Sequence, residues 1–334
     1  MSSARSYVNR IGIHGVLLIT IAITSIPFLW AAQNSIKFTR DTIRSTPTLW
    51  GYDVTADPYR TFWFRNDDQN MWQVGLFFLV LSFVVVAISR MKRRSETGWP
   101  FSLAIAGSLW AGLTLFPRMF DMNREFDFFV NSLFITVLTV IISISIGLLA
   151  GYGLARYSGL SGAVILIVAL GFRALPRTAF VLPYFFVAKY LNLLDSRLII
   201  VLAMVAINQP FTIWMLRSFF MEVPREIEEA AMMDGATRLQ AFRMVVIPVM
   251  WPGIIATSLF TMLLAYNEFL FVRVLAITNY TLPVAISALT GGDSAGTVTE
   301  AAAASVSITL PIVVVILVFQ KHLVKGLGAG AVKG

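Results

Sequence analysis

Residues 224–253, PREIEEAAMMDGATRLQAFRMVVIPVMWPG, form a polar island between two apolar runs, and their reading decides how the rest of the chain is arranged. Pro224 stands at a first helical position, where its missing N–H costs nothing. The acids Glu226, Glu228, Glu229 and Asp234 crowd the next turns, and negative charge suits the start of a helix. Gly235 then interrupts the pattern. Thr237 with Gln240 three residues later reads as a capping box that opens a second helix. The island is therefore helix, turn, helix. Taken alone, such a charge run is also what a solvated amphipathic connector looks like, so the flanking sequence has to decide.

The flanks are membrane sequence. Hydrophobic residues make up 57% of the chain and charged ones 13%, against about a quarter charged in soluble proteins. Mean hydropathy is +0.76. These values predict an all-α integral membrane protein, a polytopic helical bundle. The net charge of +8 lies on loops between apolar runs, where it sets orientation in lipid rather than inviting nucleic acid. No Cys is present, which excludes disulfides and thiolate metal sites. His14 and His322 are too few and too scattered for a metal centre, and none is expected.

Eight spans are expected: 11–32, 72–90, 100–117, 129–156, 162–190, 198–218, 253–275 and 303–320. The first reads as a retained anchor, followed at 33–70 by an external loop with interfacial aromatics. The second and third form a hairpin whose turn, residues 91–98 after Arg90, is basic and so expected in the cytoplasm. An even number of spans puts both termini on the cytoplasmic side. The loops on that side then carry the larger share of the 26 basic residues, and the island falls there too. Residues 1–128 thus make an N-terminal part of anchor, loop and extra hairpin, and residues 129–334 a core. Within the core, Gly147 and Gly151 are one small-xxx-small step apart and permit close helix packing.

The island also resembles, at full spacing, the cytoplasmic E-A-A loop of ABC importer permeases. Glu229-Ala230-Ala231 is followed after three intervening residues by Gly235, and after nine more by Val245, with Ile247-Pro248 one residue beyond. The likeness extends over 129–334 through Asn131-Ser132, Leu175-Pro176, Pro183, Leu194-Asp195, Pro210, Asn267-Glu268-Phe269, Leu282-Pro283 and the tail GLGAGAVKG from Gly326. Upstream, TPTLWGY from Thr46 resembles that family's external loop. The pattern is similar to the carbohydrate branch, in particular the second permease of maltose- and glycerol-phosphate-type systems. The extra hairpin and Tyr266, where Trp is common, depart from it.

The resemblance implies a permease subunit in a bacterial inner membrane, carrying a sugar or polyol received from an external binding protein. Its partners would be a second, related but different permease and two ABC ATPase subunits. Those ATPases would bind the ATP and Mg, and this chain would bind no cofactor and have no catalytic residues of its own. The coupling residues implied are Glu229, Ala230, Ala231, Asp234, Gly235 and Pro248. Consistent with this, no GxxxxGK[ST] phosphate loop occurs in the sequence.

Polar side chains within spans are costly and need a partner or a wet cavity. Arg173 and Arg177, spaced i,i+4 on one face of a predicted span, Asn208 and Gln209 beside Pro210, and Tyr266, Asn267 and Glu268 are the candidates for a translocation pathway. The same residues serve equally well as interhelical hydrogen bonds and an ion pair that hold the bundle. A secondary, ion-coupled transporter is the rival function, although paired broken helices in two repeats are not evident from the sequence. A membrane enzyme would need clustered nucleophiles, bases or metal ligands, which are lacking.

Overall fold

The computed structural model describes residues 2–42, 50–65, 71–94, 99–157, 159–290 and 295–331. Residues 46–49 of the expected external loop, 95–98 of the basic turn and 332–334 of the tail lie outside them. In chain order the first helices are α1 (Ser2–Asn34), α2 (Thr39–Thr42), α3 (Asp57–Trp63), α4 (Met71–Arg94), α5 (Trp99–Met119) and α6 (Arg124–Arg156). Then come α7 (Leu160–Ala174), α8 (Arg177–Tyr190), α9 (Arg197–Glu222), α10 (Arg225–Met233) and α11 (Arg238–Ala241). A π-helical segment, Phe242–Val246, leads into α12 (Ile247–Val249), α13 (Trp251–Tyr266), α14 (Leu270–Leu275), α15 (Leu282–Thr290) and α16 (Ala295–Ala331). Among the described residues extended pairing is confined to two isolated bridges, Lys37 with Val54 and Phe64 with Met122.

Among the described residues four helices are long and apolar enough to cross a bilayer: α1 over Gly12–Asn34, α6, α9, and α16 over Val298–Lys321. Two bent pairs, α7 with α8 and the α11–α12 stretch with α13, raise the number to six when each counts as one crossing. The remaining two expected spans are present as helices α4 and α5.

The chain divides into two compact units. The first comprises Met1–Phe126 with Ile286–Thr309. In it α4 and α5 pack as a hairpin, with the Phe77 ring 5.0 Å from Phe116 and Leu81 filling the space that Gly112 leaves open. Asn123 ties α3 to the end of α5 by donating its amide to the carbonyls of Thr61 and Phe64 at 2.7 and 3.0 Å. Lys37 is buried after α1, its ammonium 4.6 Å from the Tyr52 ring. Burial lowers its pKa, with Asp41 opposing.

The second unit comprises Asp127–Ala285 with Leu310–Gly334, and α9 is its axis. The helix is apolar around its whole circumference, which suits a buried helix, and residues from Ile199 to Phe220 are buried along it. Its first half joins Ile135, Val181, Phe271 and Leu275 in one core cluster. Its second half joins Ile144, Phe242, Val246 and Ile254 in another. Gly147 and Gly151 let α6 lie directly on it, as their spacing predicts. A Cβ at Gly147 would come 2.9 Å from Leu216 and Thr212, and one at Gly151 would come 3.1 Å from the Arg217 backbone nitrogen.

Two expected spans are not straight. The 162–190 run breaks by 95° between α7 and α8. Pro176 forces Leu175 into an extended conformation, φ −66° and ψ 151°, because the residue before proline avoids the helical region. Arg173 therefore ends one helix and Arg177 begins the next, and the expected i,i+4 face does not exist. The 253–275 run likewise ends its first helix at Tyr266 and resumes at Leu270, which leaves Glu268 in the break rather than within a helix.

Candidate coupling surface and membrane pathway

The island folds as helix, turn, helix, with Pro224 one place earlier than expected, as the N-cap of α10. The turn is made by Gly235 at φ +92°, the left-handed region that side-chain-bearing residues avoid. Its N–H bonds the Met232 carbonyl at 3.1 Å and the next N–H, from Ala236, bonds Ala231, so the end of α10 is capped. Thr237 and Gln240 then form the reciprocal capping box: the Gln240 N–H donates to the Thr237 hydroxyl, and the Thr237 N–H to the Gln240 side chain at 2.8 Å. Pro248 lacks an N–H and its ring would crowd the carbonyl of Met244. The wide π turn at Phe242–Val246 accommodates it just before the 75° bend into α13.

Charge attaches this island to the bundle. Glu228 is 6% exposed, the one buried acid of α10. It accepts from the Tyr152 hydroxyl and from Arg156 Nε at 3.0 Å, both at the end of α6. Arg156 Nη1 also donates to the carbonyls of Phe220 and Val223, each at 3.3 Å, at the end of α9. Tyr152 lies 5.6 Å from the Phe220 ring and 4.6 Å from that of Phe242. Thus α6, α9, α10 and the π segment meet at one joint. Burial raises the Glu228 carboxyl above the usual carboxylate range, with Arg238 opposing and Glu229 adding to the shift.

Away from the joint the island is open. Glu229, Ala230, Asp234, Gly235 and Pro248 are exposed and Ala231 is half-buried. Three large apolar side chains stand out among them: Met233 at 88%, Leu239 at 70% and Met244 at 71% exposure.

The pathway candidates separate into three places. Arg177 pairs with Glu268, whose other oxygen accepts from the N–H groups of Leu270 and Phe271 at 3.1 and 3.3 Å and so caps α14. Arg173 stacks its guanidinium 4.6 Å over Phe211, and both arginines line a cavity of about 160 Å³ where α7 breaks. Asn208 and Gln209 lie in helix packing instead, Asn208 buried and Gln209 donating to the Ser143 carbonyl of α6 at 3.2 Å. Tyr266 is buried beside a wholly different groove, about 550 Å³ and apolar, between α6, α13 and α16. Asn267 caps α13 by bonding the Leu263 carbonyl at 2.9 Å.

Residues 143–328 match the family model described as binding-protein-dependent transport system inner membrane component. The chain belongs to that family. Among its relatives is the trehalose transport system permease protein SugB of Mycobacterium tuberculosis, 35% identical over 208 residues, which are 61% of this chain and 76% of that one. The trehalose/maltose transport system permease protein MalG of Thermococcus litoralis is 33% identical over 207 residues, 61% of this chain and 74% of that one. The fold is shared with a crystal structure of a bacterial ABC transporter involved in the import of the acidic polysaccharide alginate, at a TM-score of 0.62 and 20% identity, over 92% of this chain and 94% of that one. The permease is therefore a multi-pass inner-membrane subunit of an ABC-type importer and not an ion-driven carrier.

Within this permease the joint residues Tyr152, Arg156 and Glu228 escaped the sequence reading. Four acids in one short stretch look alike by type, and only the helical phase of α10 distinguishes buried Glu228 from exposed Glu229. A usable signal was present: Arg156 ends an apolar run, and a basic residue there needs somewhere to place its charge.

Proposed function

We propose that this permease translocates a sugar or polyol, delivered by an external binding protein, and that residues 224–248 receive the motion of two ABC ATPase subunits on the cytoplasmic side. ATP and Mg act on those subunits, and a second, different permease completes the path. The observation that carries this reading is the two-sidedness of the island: Glu228 is locked inward to Arg156 while Met233, Leu239 and Met244 face outward with no cover. Exposed apolar side chains of that size, on α10, α11 and the π segment of one polar island, favour a docking surface. The sugar-transport names of the relatives support the substrate class.

The mechanism follows from the joint. Closure of the ATPases shifts α10, and a rigid α10 carries α6 and α9 because the guanidinium of Arg156, at the end of α6, is bonded both to Glu228 of α10 and to the last carbonyls of α9. The bend between α12 and α13 takes up the difference in direction. Helix motion of this rigid-body kind opens the central path alternately to either side. Both termini and the 91–98 turn lie inside in this reading.

Three measurements test it. An ATPase subunit should co-purify with the tagged permease in detergent, and ATP-dependent sugar uptake should require the transporter's own binding protein. A cysteine at Met233 should also resist an impermeant thiol reagent applied to sealed cells. Ready labelling from outside, or a permease that transports without any ATPase, would end the proposal.

A further inference from the structure

We propose that the cavity at the α7–α8 break binds an anionic group, a carboxylate or a phosphate or sulfate ester, carried by the transported solute. This rests on the transport reading above and narrows its substrate class.

Charge balance is the starting point. Two guanidiniums, Arg173 and Arg177, line the cavity. One carboxylate, Glu268, serves them, with one oxygen on Arg177 and the other accepting the two N–H groups that start α14. Arg173 has neither an ion pair nor a hydrogen bond among the described residues. Its Nη1 is buried without a partner, and its guanidinium is held only by the Phe211 ring at 4.6 Å. An unneutralised positive charge at membrane depth is costly unless something neutralises it or the cavity is wet.

The cavity wall has the complementary features. Phe180, Tyr184 and Phe271 stand around the arginines, and about 160 Å³ accommodates a small solute group with some water. A guanidinium fork matches a carboxylate or a phosphate in two parallel hydrogen bonds, and flat rings take the apolar face of a sugar. Phe211 fixes the plane of Arg173 and so leaves its donors directed rather than mobile. A neutral sugar satisfies the hydrogen bonds but leaves the charge uncompensated, whereas an acidic one satisfies both.

A lipid phosphate has the same chemistry, so the test separates the two sources. The permease, with its partner subunit and ATPases, is placed in nanodiscs of phosphatidylcholine and, separately, of phosphatidylcholine with phosphatidylglycerol. Galacturonate, glycerol 3-phosphate and trehalose are the probes, and thermal stabilisation of the complex is the readout. The expected result is that an anionic probe stabilises the complex in phosphatidylcholine alone and trehalose does so less. Arg173→Gln should weaken the anionic probe about tenfold, the loss of a charged hydrogen bond, and weaken trehalose by much less. Should Arg173→Gln not assemble, Arg173→Lys keeps the charge, loses the fork and should show a smaller loss in the same direction.

Equal binding of acidic and neutral probes would overturn the proposal. So would stabilisation by phosphatidylglycerol with no solute effect, which assigns the arginine to lipid. Loss of the partner permease in Arg173→Gln without any solute effect would overturn it too, by assigning the countercharge to that subunit. Hydrolysis of ATP stimulated by the binding protein is measured in parallel. If the wild type lacks it, the transport reading itself fails; if it is present without preference for an anion, only this inference fails.

Discussion

Arg156 and Glu228 lie 3.0 Å apart at the point where two membrane helices end and the polar island begins. Their side chains are 17% and 8% exposed, so the pair is largely withdrawn from water. Because Arg156 also bonds the last carbonyls of α9, a displacement of α10 reaches two long helices through a single guanidinium. In the proposed coupling reading, that linkage is what lets the island act as a lever.

Removing one member should hurt more than removing both. Glu228→Gln keeps an acceptor for Tyr152 but strands the Arg156 charge, and a broken buried pair costs about 3–5 kcal/mol. The double variant Arg156→Met with Glu228→Met leaves no stranded charge and should recover part of that loss. Melting of the solubilised permease measures the stability, and retention of the ATPase subunit measures the joint. Strictly additive effects of the two single changes would show that the residues act independently.

Gly235 gives a different kind of test, since its φ of +92° lies outside the membrane helices and no atom outside its own turn lies near the position of an added Cβ. The cost of Gly235→Val is thus backbone strain, about 1–2 kcal/mol, and not a clash within the permease. The variant should insert and fold while its α10 turn is distorted and the ATPase dissociates. Met232→Leu, similar in volume in the same helix, should do much less. Wild-type ATPase retention and uptake in Gly235→Val would show that the island is not the coupling element.

What the sequence made legible follows the range of the interactions. The Thr237–Gln240 box, the Gly235 turn and the Gly147/Gly151 step are local patterns, each complete within one or two turns of helix, and all three are present. Asn131-Ser132 and Leu282-Pro283 were visible only as motif residues. Their connection, the Leu282 N–H donating to Ser132 at 2.8 Å, spans 150 positions and no local rule reveals it. The break between Arg173 and Arg177 was missed for another reason. Leu175-Pro176 carries the signal, but the apolar run around it is long enough for one crossing, and apolar length alone does not distinguish a straight span from a broken one.

The α6–α9 contact predicts an ordered series. Gly153 has open space where a Cβ would go, so Gly153→Ala should be harmless or slightly stabilising in a helix. Gly147→Ala meets the Leu216 side-chain end and the Thr212 methyl at 2.9 Å, and should still cost less than Gly151→Leu, which drives a branched side chain against the α9 backbone. Overpacking of that sort costs about 1–3 kcal/mol. Melting temperature and the yield of assembled complex should fall in the order Gly153→Ala, Gly147→Ala, Gly151→Leu. The reverse order would mean that α6 and α9 are not in register as described.

The last prediction concerns acid. Asp195, in the loop between α8 and α9, accepts from the backbone N–H groups of Ile277, Thr278 and Asn279 at 2.8, 2.8 and 2.9 Å, so that one carboxylate organises the turn after α14. Burial by itself would raise its pKa, but the hydrogen bonds from Thr278, Asn279 and Ile277 together outweigh burial and hold it at about 2, below the ordinary 3.8. A folded-state pKa below the unfolded value stabilises the fold above the unfolded pKa, and that contribution drains away as pH falls from about 3.8 toward about 2. The group is well solvated, so after screening the contribution is about 1 kcal/mol at neutral pH. Asp195→Asn is the informative variant because its φ of +62° suits Asn as well as Asp, which leaves the backbone unstrained and removes only the charge. The gap in melting temperature between wild type and Asp195→Asn should be widest near neutrality and narrow as pH drops below about 4. A gap that stays constant from neutral to strongly acidic buffer would mean that the carboxylate charge contributes nothing and that an amide oxygen holds the turn equally well.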